Sequence, residues 1–194
     1  MVCEYKILLA SSSPRRIQLM RSIGLDFNQA SPEAEEDNTL SDPVARVELN
    51  SLRKAESVRI HHPGSLIIGS DTVVSLGGEI MGKPTDEDDA ERMLRDLSGK
   101  CNTVFTGISI INTESGKQMT RHASTRVWFK QLTEEKIRDY VNSGEPLDKA
   151  GSYGIQGLGG ELVDRIEGSY SNVVGFPLEL LTEMLSEFGI CIAK

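Results

Sequence analysis

Cysteine is scarce in this chain: Cys3, Cys101 and Cys191 lie far apart, form no C-x-x-C pair and leave one over after any pairing. That pattern excludes a disulfide-stapled scaffold and a cysteine-based zinc or redox motif, and it suits a reducing, cytoplasmic interior. Histidine is equally sparse, and His61, His62 and His122 make no metal-binding spacing. No G-x-S-x-G elbow and no evident Cys and His pair offer a covalent nucleophile. The G-x-x-x-x-G-K-[ST] phosphate loop is also missing. Apolar runs are short: Ile7-Leu8-Leu9, with Glu4 ahead of it, is too brief for a signal-peptide core, and nothing approaches the roughly 20 residues of a membrane span. Positive charge is in deficit, 21 basic against 29 acidic residues for a net charge of −8. This excludes a general nucleic-acid or membrane-surface binder, so an anionic ligand has to meet a local basic patch.

What is present reads as one domain over residues 1–194, with alternating strands and helices and no internal repeat or linker, hence an α/β fold. A strand at 6–10 leads through three serines into a helix from Pro14 to about Ile23, with Ser13 at the N-cap and Gly24 at its end. A strand near Phe27 precedes the acidic loop 32–37, and a long helix spans about 42–60 with Val44, Val47, Leu52 and Ala55 on its apolar side. Ser65-Leu-Ile-Ile-Gly69 reads as a buried strand ending at glycine, followed by a hairpin over 73–81 turning at Gly77-Gly78. A helix at 87–97, strands at 104–111 and 118–129, and a helix from Thr133 to about Asn142 follow. After a glycine-rich stretch at 144–160, a helix from Pro177 to about Phe188 and a short strand close the chain. Trp128, between Val127 and Phe129, reads as packing.

Several stretches carry chemistry-bearing residues. Ala10-Ser-Ser-Ser-Pro-Arg-Arg16 joins a strand end to a helix start, where free N–H groups and the helix dipole favour a phosphate. The hydroxyls of Ser11 to Ser13 and the guanidinium forks of Arg15 and Arg16 add donors; an ordinary N-cap followed by two surface arginines has the same spacing. In Gly69-Ser-Asp-Thr72 the carboxylate of Asp71 is placed at a sheet's carboxyl edge, to hold a cation, orient a water, or merely cap a turn. The run Glu33-Ala-Glu-Glu-Asp37 offers oxygen ligands to a hard cation or is a solvated charge run. Lys54 and Lys83 are candidates to neutralise phosphate or are surface residues. The density of glycine in Asp148 to Gly157 suits a backbone closing on a ligand, with Gln156 among it.

Taken together and in order, LASSSPRR, RKA at 53–55, IIGSDTVV at 67–74, GKPTDEDDAERMLRDLSGK at 82–100, GEPLDKAGSYGIQG at 144–157 and GSYSNVVGFPLELL at 168–181 resemble the Maf family of nucleoside triphosphate pyrophosphatases. The resemblance implies a mixed, elongated sheet flanked by helices in two lobes around a deep nucleotide cleft, related to the inosine triphosphate pyrophosphatases of Ham1 type, and a homodimer. It implies hydrolysis of a nucleoside triphosphate between its α and β phosphates, with a divalent cation, Mg²⁺ or Mn²⁺, as cofactor. Residue by residue it matches the general base to Asp71, phosphate binding to Arg15 and Arg16 in the Ser11 to Ser13 loop, the cleft carboxylate to Glu35, and the two lysines to Lys54 and Lys83. Asp71 and Glu35 would hold the metal.

The trio Arg15, Thr72 and Gln156 is similar to the branch acting on dTTP and UTP, including some modified pyrimidine nucleotides, and unlike the branch acting on 7-methyl-GTP. Asn102 stands where many relatives carry histidine, and Phe176 where leucine is frequent. A second expectation is a nucleotide-binding regulator of septum formation with little hydrolysis; the complete set of Asp71, Glu35, Lys54 and Lys83 speaks for the hydrolase.

Overall fold

The structure, a computed structural model, describes residues 5–192; Cys3 lies outside them. Seven strands form one mixed sheet in the order β2-β1-β3-β5-β6-β7, with β4 paired to β3. The strands are β1 (Lys6–Ala10), β2 (Asn28–Ala30), β3 (Ser65–Leu76), β4 (Glu79–Met81), β5 (Cys101–Asn112), β6 (Gln118–Phe129) and β7 (Val163–Glu167). The helices are α1 (Pro14–Ser22), α2 (Pro43–Ser57), α3 (Glu87–Leu97), α4 (Glu134–Asn142), α5 (Tyr170–Val174) and α6 (Leu178–Ser186). The expected mixed α/β architecture is therefore present. Among the described residues no helix is long and apolar enough to cross a membrane, and Cys101 and Cys191 are free thiols.

The sequence suggests a strand stopping at Gly69 and a separate hairpin beyond it, but β3 runs unbroken for 12 residues and then turns at Gly77-Gly78 into β4. Gly69 is therefore a contact point rather than punctuation. A Cβ there would collide with the Ser51 carbonyl and lie 2.8 Å from the Ala55 nitrogen of α2, and one on Gly107 of β5 would strike the Val47 carbonyl of the same helix. Two glycines thus let α2 lie directly on the sheet, a known use of glycine inside strands.

Three other expectations differ. The glycine-rich stretch resolves into tight 3-10 turns at Glu145–Asp148, Ala150–Ser152 and Leu158–Leu162, followed by β7 and α5, which are too short to leave a periodic signature. The closing strand does not form in the described residues after α6. Trp128 is only partly buried, with the Arg165 and Arg126 guanidiniums 4.1 and 5.2 Å from its ring centre, so it stacks with cations as well as packing.

The core changes along the length of β3. Leu66 and Ile68 belong to a cluster with Met20, Phe176, Leu181 and Leu185, which accounts for Phe176 as packing. Val74 belongs to a second cluster with Leu94, Phe129, Tyr140 and Tyr153. Ile67, on the other face, packs against Ala55 and Val58. Between the two clusters the strand carries Ser70-Asp71-Thr72.

Close approach at Gly69 gives a direct expectation. Gly69→Ala forces α2 off the sheet and destabilises by ~1–3 kcal/mol, the usual cost of overpacking. Gly82→Ala, where an added Cβ meets nothing within 4 Å, stays within about 0.5 kcal/mol. Urea denaturation midpoints measure both.

Candidate active site

A gap in the sheet locates the site. Pairing of β1 with β3 ends at Ala10 opposite Gly69, and pairing of β4 with β3 begins at Met81 opposite Val74. From Ser70 to Val73 one edge of β3 has no strand beside it, while the other edge is continuously paired to β5. The Ser11 to Ser13 loop and the start of α1 lie at this opening, because β1 ends there. Alternation sends Asp71 to the α2 face of the sheet and Thr72 to the opposite face, so the opening is flanked on both sides by β3's polar residues.

On the α2 face, Lys54 Nζ donates to Asp71 Oδ1 and to Glu36 Oε1, both at 2.6 Å. Asp71 is 5% exposed and Lys54 9%. Asn50 Nδ2 stands 3.4 Å from Asp71 Oδ2, and Asn50 Oδ1 accepts from the Asp37 backbone N–H at 2.8 Å, which ties the acidic loop to the helix. The buried side of α2 is thus Val47, Asn50, Ser51, Lys54 and Ala55, one helical face on which three polar residues replace the expected apolar stripe. Partial burial works against the charge on Glu36, but the bond and attraction to Lys54 outweigh it and hold its pKa below the ordinary carboxylate value. Glu35, exposed like Glu36, takes no part in this cluster. The acidic loop delivers Glu36 to Lys54 in its place.

On the other face, Arg16 acts as a clip. Its Nε donates to Gly175 O at 2.8 Å, Nη1 to Ser70 O at 2.8 Å and Nη2 to Thr72 Oγ1 at 3.0 Å. It therefore fills the unpaired edge of β3 and ties it to the end of α5. Burial lowers its pKa from the ordinary value, against the pull of the Asp71 and Glu36 carboxylates. Thr72 Oγ1 also meets Thr106 Oγ1 at 3.0 Å, and Thr106 donates to Asn172 O at 3.2 Å. Arg15, its neighbour in sequence, is less committed: its only ion pair among the described residues is with Asp148, at 3.7 Å.

Two cavities, of about 410 and 350 Å³, share Ser13, Arg15, Lys83 and Asp148 in their walls and make one cleft. The smaller is lined by the Ser11 to Arg16 segment, Glu36, Lys54 and Lys83. The larger has Thr72, Val74, Val104, Tyr153, Val173 and Gln156 in its walls. The smaller end is rich in hydroxyls and cations, and the larger combines apolar side chains with Thr72, Glu145, Asp148, Lys149 and the Gln156 amide. Lys83 and Gln156 are exposed at the rim, and Ser11 is buried with its Oγ accepting from the Ser13 N–H at 3.2 Å. Ser13 occupies the helix N-cap without a side-chain cap bond.

Of the sequence-derived set, Ser11, Ser13, Arg15, Arg16, Lys54, Thr72, Lys83 and Gln156 line the cleft, Asp71 is buried behind Lys54, and Glu35 stays outside, while Arg16 is already engaged by the protein itself. Residues missed at the sequence level are Glu36, Asn50, Glu145 and Tyr153. Asn50 and Glu36 were detectable through Lys54: asparagine one turn before a lysine on the helix's sheet-facing side, and a second glutamate in the same acidic run. Asn102, fully buried, reaches the cleft only through Tyr153, whose hydroxyl donates to Asn102 Oδ1 at 3.0 Å.

The asymmetry between the arginines is measurable. Arg16→Lys cannot satisfy three acceptors spread over a planar fork and costs ~1–3 kcal/mol, whereas Arg15→Lys leaves the urea midpoint within about 0.5 kcal/mol. Equal midpoints for the two variants would remove the clip.

The fold and cleft have counterparts among known proteins. A solved structure of the Staphylococcus aureus Ham1 protein superposes with a TM-score of 0.55 at 14% identity, covering 94% of this chain and 99% of that one; this is a likeness of fold, the Ham1-type architecture. A dTTP/UTP pyrophosphatase of Dictyoglomus thermophilum is 44% identical over 186 residues, 95% of this chain and 96% of the relative. One of Vibrio parahaemolyticus is 46% identical over 187 residues, 94% and 96% of the two chains. The family described as Maf-like protein matches residues 6–188. With that match across nearly its whole length, the chain belongs to the Maf-like protein family.

Proposed function

We propose that this protein hydrolyses dTTP and UTP, and related modified pyrimidine nucleotides, between the α and β phosphates, releasing the monophosphate and pyrophosphate and so clearing nucleotide pools. The observation that carries this reading is the two-ended cleft: a hydroxyl- and cation-lined end suited to phosphates, continuous with a larger end in which Val74, Val104, Tyr153 and Val173 offer an apolar surface beside the exposed Gln156 amide. The names of the 44–46% identical relatives point the same way.

In this reading the N–H groups and hydroxyls of Ser11 to Ser13 and the start of α1 hold phosphate oxygens, as helix N-termini do. Arg15, held only by its 3.7 Å ion pair with Asp148, and Lys83, both at the junction of the two cavities, offset the charge of the phosphates, while Arg16 keeps the loop and β3 in place. Asp71 takes the proton of the attacking water. That role requires Lys54 to leave Asp71 Oδ1, and an incoming phosphate gives its ammonium an anionic partner. Thr72 and Gln156, with Arg15, select the base.

A divalent cation, Mg²⁺ or Mn²⁺, is part of the proposal. Among the described residues no three His, Cys, Asp or Glu gather into a cage. Asp71 and Glu36 nevertheless converge on one cationic atom, the Lys54 ammonium, and two carboxylates completed by phosphate oxygens is a donor set that suits Mg²⁺. Bound there, the ion would neutralise phosphate charge and lower the pKa of a water. A cytoplasmic homodimer, twice 21.3 kDa, belongs to the same proposal and rests on the family resemblance; light scattering measures the mass.

Pyrophosphate release from dTTP, UTP, CTP, ITP and 7-methyl-GTP tests the reading, which expects metal-dependent cleavage led by dTTP and UTP. Asp71→Asn lowers kcat by about 10²–10⁴-fold while calorimetry still records nucleotide binding; full turnover by this variant refutes the base. Binding with negligible cleavage by the wild type favours the regulator instead. Glu36→Gln raises the Mg²⁺ concentration for half-maximal rate by about tenfold or more, and Glu35→Gln leaves it unchanged.

A further inference from the structure

Gln156 sits on an exposed glycine-rich loop, yet its immediate flanks are held by a brace that enters from elsewhere in the chain. Glu145 begins the turn after α4. Its Oε1 accepts from the Tyr140 hydroxyl at 3.0 Å and the Gly159 N–H at 3.1 Å, and its Oε2 from the Leu158 N–H at 2.9 Å. The Tyr140 hydroxyl in turn accepts from the Gly154 N–H at 3.1 Å. Carboxylate and phenol together thus bind the N–H groups on both sides of Ile155-Gln156-Gly157. The glycines are those the brace requires: a Cβ on Gly157 would collide with Glu145 Oε2, and one on Gly159 would lie 2.6 Å from the Tyr140 hydroxyl.

Burial acts against the Glu145 charge, but the N–H groups of Gly159 and Leu158 and the Tyr140 hydroxyl outweigh it, so its pKa lies below the ordinary value and it is ionised at neutral pH. The carboxylate also forms part of the wall of the larger cavity. It is fully occupied by its own chain, whereas the Gln156 amide makes no hydrogen bond among the described residues and is free for a ligand. An anion next to a phosphate-binding cleft is repulsive unless its charge is directed elsewhere; here it is directed into the backbone of the base-reading loop.

We infer that Glu145, with Tyr140, is a positioning residue for base selection: it fixes the loop that presents Gln156 and leaves the phosphate end of the cleft untouched. This inference rests on the pyrimidine-nucleotide reading above. A glutamine at 145 retains one acceptor oxygen and turns an NH₂ toward N–H groups that need acceptors, so the loop loses its anchor while the volume is kept.

The test is steady-state kinetics of Glu145→Gln with dTTP and UTP, alongside inhibition by inorganic tripolyphosphate as a probe of the phosphate end alone. Expected are a KM for dTTP raised about tenfold, equivalent to ~1.4 kcal/mol, a kcat within about twofold, and an unchanged tripolyphosphate inhibition constant. An unchanged KM overturns the inference, and so does loss of tripolyphosphate inhibition in step with KM, which would mark general damage. Should Glu145→Gln fail to fold, Tyr140→Phe removes the Gly154 contact and one carboxylate contact while keeping the ring, and must raise KM in the same direction; an unchanged KM there overturns the inference as well. A wild type that cleaves neither dTTP nor UTP defeats the functional reading, whereas an active wild type with unaltered variants defeats this inference alone.

Discussion

Between Ser70 and Val73 one edge of β3 is left without a neighbouring strand, and the organisation of the cleft follows from that opening. Backbone groups on an open edge need partners, and here the Arg16 guanidinium supplies one by donating to Ser70 O. Because successive side chains point to opposite faces, the same short segment offers Asp71 to α2 and Thr72 to α5. A cleft passing the opening can therefore collect groups from both faces of the sheet: Lys54 and Glu36 from one, Val74, Val104 and Val173 from the other. A strand paired along both edges would have separated those groups into two unrelated surfaces.

The ion pair between Lys54 and Asp71 at this opening adds little to stability. Burying Asp71 and Lys54 together costs desolvation that their attraction only partly returns, so such a pair is weak grounds for stability. In the function proposed above its geometry suits exchange: each carboxylate and the ammonium would hold a complementary charge until a substrate carrying phosphate, and a cation with it, replaced those partnerships. The neighbouring groups are fixed by contacts within the chain. Arg16 is clipped at three points, Tyr153 is anchored edge-on to Phe129 with ring centres 4.8 Å apart, and the Gln156 loop is braced from beneath.

Much of this was legible in the sequence, and the exceptions have physical causes. The long strands and amphipathic helices announced themselves through periodicity and caps, as with Asp42 accepting from the Val44 N–H at the start of α2. Gly69 misled, because a glycine that admits a helix backbone looks the same in sequence as a glycine that ends a strand. The polar side of α2 misled in the opposite sense: Asn50, Ser51 and Lys54 lie outside the apolar side expected from Val44, Val47, Leu52 and Ala55, yet all three are buried, Asn50 and Lys54 bonded to the acidic loop and Ser51 to Ser109 on the sheet. Glu35 and Glu36 are adjacent glutamates in one acidic run, so residue type gave no means of choosing between them; the loop's path, tied at Asp37 to Asn50, brings Glu36 inward. Arg15 and Arg16 look interchangeable in sequence and are distinguished only by which one finds three acceptors. Glu145 was invisible because two of its three partners are backbone N–H groups, which carry no sequence signal.

The measurement that bears most directly on the two-ended cleft is a crystal structure with dTTP or a hydrolysis-resistant analogue carrying an imido bridge between the α and β phosphates. Expected are the thymine against Val74, Val104 and Tyr153 within reach of Gln156, the phosphates along Ser11 to Arg15, and Lys54 Nζ withdrawn from Asp71 toward phosphate oxygen. A nucleotide bound in the reverse orientation, or Lys54 still 2.6 Å from Asp71 with the substrate in place, would contradict it.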